Sequence, residues 1–318
     1  MAFFQKDASL ESLGDRLIAT VRQQYPALAG NQIALTWLVY DPPYPVNTGG
    51  ALNAADFWQQ AIRGYSYRGM ERVYPASVVK LFYLVAAHEW LDKGMISPSD
   101  ELERALRDAI VDSSNDATSL ILDYLSGTTS GPELPPGPFA TWKHQRQIVN
   151  RYLQGFGWPE FESINVCQKT WCDGPYGRER AFVGEDYSNR NGLTTDAIAR
   201  MLHAIVGGVA VSAERSRAMM ALLRRSLDPR AIAALDPDYN QITGFLGAAL
   251  PSHASLWSKA GWTSKVRLDC AYVELGDPYP PYLLSVAINH PEVCRDQTVL
   301  PLISKLAIAS LADLQPPA

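Results

Sequence analysis

The chain has 318 residues, 47% of them hydrophobic and 19% charged, with a mean hydropathy of -0.11; a chain of that length buries a large core, and the composition excludes a disordered polymer. A net charge of -5 and a pI near 5.6, with no dense Lys/Arg run carrying interleaved aromatics, exclude a phosphate-gathering field and so a nucleic-acid partner. No apolar stretch approaches bilayer-spanning length, so no membrane partner is expected.

The segment from Met1 to Asp7, with Glu11 close behind, has no apolar run of signal-peptide length. As it stands the chain reads as cytoplasmic, or as periplasmic or secreted if a leader has been removed. Leu10, Leu13, Leu17, Ile18 and Val21 share one face of Ser9 to Gln24 and predict an amphipathic helix. Ile33 to Tyr40 reads as a strand stopped by Asp41-Pro42-Pro43, and a second strand is predicted around Gly64 to Tyr67. Ser77 to Lys93 is helical in pattern, with Gly94 as its stop. The next helix takes Ser97 as cap, Pro98 in its first turn and Asp100 as partner in a capping box, and runs to about Val111. A further helix covers Ala117 to Leu125, followed by a loop rich in Pro, Gly, Ser and Thr from Ser126 to Pro138, and helical pattern resumes at Trp142. Gly155 to Asn191 is long and irregular, the kind of segment that often carries function.

Helices are predicted at Thr195 to Ile205 and Ala213 to Leu227, then strands at Ser255 to Gly261, Asp269 to Glu274 and Tyr282 to Asn289, and a last helix from Val299 to Leu314. Strands at both chain ends around a helical middle predict an α/β (α+β) fold, with an antiparallel sheet assembled from the two ends and an all-helical lobe between them. The expectation is one domain over 1–318, with an α/β lobe at about 1–70 and 240–318 and a helical lobe at about 71–239.

Ser77-Val78-Val79-Lys80 places a hydroxyl and an amine three residues apart at a helix start, on one face and within one turn. A serine hydroxyl is a poor nucleophile at neutral pH, and a neighbouring amine of depressed pKa can take its proton. Free N–H groups at the helix start favour a developing oxyanion. Ser77 is the one serine with Lys three positions later, yet such a pair alone also describes ordinary helix surface. Two further elements follow in order: Ser113-Ser114-Asn115 between helices, and Lys259-Ala260-Gly261 on a strand near the C-terminus. Ser113 and Asn115 could instead cap the helix beginning near Asp116, and Lys259 and Arg267 could be solvated strand residues. His88, His203 and His253 read as core or surface histidines.

In motif order the chain resembles the penicillin-recognising Ser-x-x-Lys serine hydrolases, specifically the class A β-lactamase-like family, with its S-x-x-K, S-x-N and K-[TS]-G motifs. Tyr74-Pro75-Ala76-Ser77 and Ile110 to Ala117 carry the likeness beyond the motif residues, and the resemblance spans the chain from first helix to last. It implies that Ser77 attacks a carbonyl and Lys80 accepts or relays its proton. Ser113, helped by Lys259, would pass a proton to the leaving nitrogen, and Asn115 would hold Lys80 and a substrate amide. The N–H groups of Ser77 and Trp262, beside Gly261, would form the oxyanion hole, and Arg267 would bind a substrate carboxylate. The implied substrate is a small amide, with a β-lactam as family default, turned over by a monomer without cofactor or metal. A DD-peptidase-like or other amidase or esterase, and a catalytically degenerate binding protein, are the alternatives.

Three departures from the family pattern stand out. Ala260 replaces the hydroxyl residue of the third motif, and the short interval between Lys80 and Ser113 removes a loop bearing an aromatic wall, which implies a wider cleft. The deacylating glutamate has two candidates: Glu179, which has the family's distance from the Leu193-Thr194-Thr195-Asp196 helix start, and Glu185, which alone satisfies Glu-x-x-x-Asn and is the one preferred. Cys167, Cys172, Cys270 and Cys294 lack the spacing of a zinc site, while an oxidising compartment would allow a Cys167–Cys172 disulfide.

Overall fold

The computed structural model describes residues 3–28, 30–41, 53–60 and 62–314. In chain order its elements are β1 (Phe4–Lys6), α1 (Ala8–Gln24), β2 (Ile33–Val39), α2 (Ala54–Gln59), β3 (Ile62–Tyr67), α3 (Lys80–Asp92), α4 (Asp100–Val111), α5 (Asn115–Ser126), α6 (Pro136–Arg146), α7 (Ile148–Gln154), α8 (Gly177–Val183), α9 (Thr195–Val206), α10 (Ala213–Leu223), β4 (Arg224–Arg225), α11 (Pro229–Ala233), β5 (Ser255–Trp262), β6 (Arg267–Glu274), β7 (Tyr282–Ile288) and α12 (Val299–Leu311). The seven strands make one sheet in the order β1-β3-β2-β7-β6-β5-β4, drawn from both ends of the chain as expected. Every pair is antiparallel except β1 with β3, which run parallel. Pro42 and Pro43, taken as the stop of the first long strand, lie outside the described residues.

Strand alternation separates two apolar cores, one on each face of the sheet. Leu35, Trp37, Val39, Leu256, Ala271, Val273, Leu284 and Val286 pack with α1 and α12. Leu38, Trp257, Cys270, Tyr272, Leu283 and Ala287 pack with α3, α4, α5, α7, α9 and α10. The same alternation sends Lys259 and Gly261 to the helical side with Trp257, while Ala260 joins the other core.

The central helix α9 is buried along its whole length against the sheet. It is tied to β2 by Thr36 Oγ1, which donates to Asp196 Oδ1 at 2.5 Å, and to β3 by Ser66 Oγ at 2.9 Å from the same oxygen. Among the described residues no helix is long and apolar enough to cross a membrane.

Several local readings are corrected. Ser77 lies in a short 3₁₀ turn, Ala76–Val79, and the α-helix starts only at Lys80. Ser99, not Ser97, caps α4, its side chain accepting from Leu102 N at 3.2 Å. The stretch ending at Leu227 leaves the helix at Leu223 and pairs as β4 beside β5, since an extended backbone there completes the sheet edge. β1 and β4 escape a periodicity reading because three and two residues carry too little pattern.

Candidate active site

Ala76 sits at φ +47° and Ser113 at φ +57°, two non-glycine residues in the left-handed region. Such backbone is retained where surrounding packing over-determines it, and here both positions frame one cleft. The turn that follows Ala76 is 3₁₀, with three residues per turn, so Ser77 and Lys80 are stacked more directly than an α-helix would stack them. The Ser77 N–H lies in the first turn and has no carbonyl behind it in the helix.

Lys80 is 1% exposed. Its ammonium donates to the Ser113 carbonyl, to Asn115 Oδ1 at 2.9 Å and to Ser113 Oγ at 3.2 Å. Burial pushes its pKa down to about 7, with the sulfur of Cys172 acting in the opposite direction. Lys259 is equally buried and donates to Ser113 Oγ at 3.0 Å, Gln241 Oε1 at 2.5 Å and the Ala260 carbonyl at 2.8 Å. Burial drives its pKa well down, and the charges of Lys80 and Arg225 add to that. Two lysines thus converge on one hydroxyl, Ser113 Oγ. Ser113 and Asn115 are free for this because Ser114 does the capping of α5, accepting from Ala117 N at 3.2 Å.

Ser77 lines a cleft of about 700 Å³ together with Ser113, Asn115, Trp171, Cys172, Tyr239 and Trp262. Trp171 and Tyr239 therefore bring aromatic surface to a cleft whose α3–α4 connection is short. Gly261 backs the Ser77 turn so closely that a Cβ there would stand 2.7 Å from Ser77 N and 2.9 Å from Val78 N. Trp262, at the end of β5, is 58% exposed at the cleft rim.

Three expected site residues are placed elsewhere. Glu185 is exposed in the turn after α8, is not among the residues lining the cleft, and offers its carbonyl to Arg180 Nη2 at 3.2 Å. Glu179 is fully buried in a separate network, its Oε1 accepting from Arg146 Nη2 at 2.5 Å and Ser130 Oγ at 2.9 Å. Arg267 is buried and its guanidinium serves two backbone carbonyls, Cys294 O at 2.7 Å and Gly244 O at 3.2 Å, rather than lining the cleft. All four cysteines are free thiols, with Cys167 buried and Cys172 exposed, so no Cys167–Cys172 disulfide forms here.

Gln241 and Arg225 were not visible in the motif reading. Gln241 Nε2 donates to the carbonyls of Val111 at 2.8 Å and Ile110 at 3.1 Å, while its Oε1 accepts from Lys259. Arg225 Nη2 donates to Ile110 O at 2.9 Å and Ser258 O at 3.0 Å. Both tie the end of α4, which leads into Ser113, to β5, which carries Lys259. Neither belongs to a local motif, and each lies more than a hundred residues from the carbonyls of α4 it holds.

A family model described as the beta-lactamase enzyme family matches residues 101–312. The chain belongs to that family. The match takes in Ser113, Asn115 and Lys259; Ser77 lines the same cleft as Ser113 and Asn115, and Lys80 hydrogen-bonds to both of those. Solved structures agree with the fold of a beta-lactamase family member. One is a beta-lactamase from Sphaerobacter thermophilus, at TM-score 0.62 and 18% identity, with 94% of this chain and 98% of that one covered. Another is a beta lactamase from Xanthomonas campestris, at TM-score 0.60 and 18% identity, with 95% and 97% covered. A PBP-A mutant in an acyl-enzyme complex with penicillin G aligns at TM-score 0.62 and 15% identity, covering 94% and 97%. No curated protein matches the chain in sequence.

Proposed function

We propose that this beta-lactamase family chain is a serine hydrolase that opens a small amide, with a β-lactam as the default substrate, through an acyl-enzyme on Ser77. One observation carries the reading: Lys80 and Lys259 meet on Ser113 Oγ, 3.2 and 3.0 Å away, at the cleft that Ser77 also lines. A buried amine with a pKa near 7 is half neutral at neutral pH and can take the Ser77 proton as Oγ attacks the carbonyl. Asn115 Oδ1 orients that amine.

The carbonyl oxygen turns to the N–H groups of Ser77 and Trp262, and Gly261 keeps the space before Ser77 N open. Ser113 then hands a proton to the departing nitrogen, resupplied from Lys80 or Lys259. Gln241 and Arg225 position this relay by holding α4 to β5. The working unit is a monomer of one domain, an α/β lobe at about 1–70 and 240–318 closing on a helical lobe at about 71–239.

Intact-mass spectrometry tests the reading. Incubation with penicillin G, or with a fluorophosphonate, should add one acyl or phosphonyl group that maps to Ser77 and is absent from Ser77→Ala. An unmodified wild-type protein with both reagents would leave the binding-protein alternative standing.

A further inference from the structure

An acyl group on Ser77 leaves only if a water near it loses a proton, and neither Glu185 nor Glu179 reaches the cleft. The ionisable acids that do line it are Asp112, Asp116, Asp238, Tyr239 and Cys172. Asp116, Asp238 and Tyr239 are exposed and hydrogen-bond to neither Lys80 nor Asn115, and Asp112 closes α4, its charge acting on Arg225. Cys172 stands apart from these. Its sulfur receives Asn115 Nδ2 at 3.3 Å, and the Oδ1 of that same amide holds Lys80 at 2.9 Å. The sulfur is also close enough to Lys80 to act on its charge. Of the four thiols Cys172 is the one exposed, whereas Cys167, Cys270 and Cys294 are buried.

From this geometry, and resting on the proposed acyl-enzyme, we infer that Cys172 is the general base of deacylation. The Asn115 amide bridges the Cys172 sulfur and the Lys80 ammonium, one end of it on each. Acylation leaves Lys80 as the neutral amine it began as, and the Cys172 thiol first passes its proton to that amine. A water in the cleft then gives a proton to Cys172 Sγ as its oxygen bonds to the ester carbonyl carbon. The tetrahedral intermediate collapses, the bond from carbon to Ser77 Oγ breaks, and Oγ takes a proton from the Lys80 ammonium. One water is consumed, one carboxylic acid is released, and Ser77, Lys80 and Cys172 regain their starting forms. No oxidant or added group is needed.

The experiment follows p-nitrophenyl acetate and penicillin G with wild type, Cys172→Ala, Cys172→Ser and Cys172→Asp, reading the burst, the steady-state rate and the intact mass. Removing a general base lowers its step by about 10²-fold or more. Cys172→Ala and Cys172→Ser should each keep a burst with a rate within about threefold of wild type, since acylation uses Lys80. Their steady-state turnover should fall by about 10²-fold, with the acyl mass accumulating on Ser77. Cys172→Asp should recover part of the turnover.

The serine variant separates chemistry from positioning, because its hydroxyl keeps a contact with Asn115 but is not a base at neutral pH. Full turnover in Cys172→Ser overturns the inference, as does an acyl group mapped to Cys172 in wild type, which would make the thiol a nucleophile. Absence of any adduct or burst in all proteins overturns the acyl-enzyme reading, and this inference with it.

Discussion

In the proposed acyl-enzyme route, Lys80 is the residue on which acylation turns. The reactive form is the neutral amine, so with the pKa lowered to about 7 the acylation rate should climb as pH rises and level off above about 7. Below that value each pH unit should cost about tenfold. Stopped-flow burst measurements with p-nitrophenyl acetate between pH 5 and 9 check the profile, and Lys80→Met should lower the burst rate on the plateau by roughly 10²- to 10⁴-fold and remove its rise with pH. Gly261 carries a second prediction, because a single methyl there would occupy the space before Ser77 N, at 2.7 Å. Gly261→Ala should slow acylation by roughly 10²-fold, the scale of losing one oxyanion donor, in the same assay.

At the scale of elements, the site depends on how α4, α5 and β5 are held. Ser114→Ala removes the cap of α5 and should cost about 1 kcal/mol in urea unfolding. Gln241→Met breaks the contacts to Lys259 and to the α4 carbonyls while keeping the side-chain volume. We expect kcat/KM for the hydrolysed substrate to fall by about 10²-fold, the scale of a small misplacement of reacting groups, without loss of the far-ultraviolet dichroism of the fold. The Ser-x-x-Lys pair was legible from spacing because both residues lie within one turn. The helix start around it was not, because the left-handed Ala76 and the 3₁₀ turn are imposed by packing against β5. Arg267 misled for a related reason: its strand position was close to right, but its neighbours turned the guanidinium toward carbonyls from distant segments.

Across the whole molecule, buried histidines make acid a stress. Burial lowers His88 to about 4 and His203 to about 3, whereas the unfolded chain protonates histidine near its ordinary 6.5. Between those values the unfolded state binds more protons, so each residue's contribution is full above about 6.5 and declines as pH falls. Asp269, raised to about 7 by burial, has the opposite sign, its contribution being lost as pH rises toward 7. A substitution isolates one term. His88 is buried with neither ring nitrogen hydrogen-bonded, so His88→Leu should raise the urea midpoint at pH 7 and reduce the loss of stability between pH 7 and 5 by on the order of 2 kcal/mol.

The sequence by itself determined the sheet built from two chain ends, the helical middle, and the three motifs that single out Ser77, Lys80, Ser113, Asn115 and Lys259. Periodicity and short spacing encode those features within a few residues. Only the tertiary structure decided which side chains complete the cleft. It set Glu185 in a solvent-facing turn and Glu179 in a buried ion pair with Arg146, and it brought Cys172 against Asn115. Contacts between residues 57 to 146 positions apart, as for Cys172 with Asn115 and Lys259 with Ser113, depend on the path of every intervening element. No local pattern carries that information.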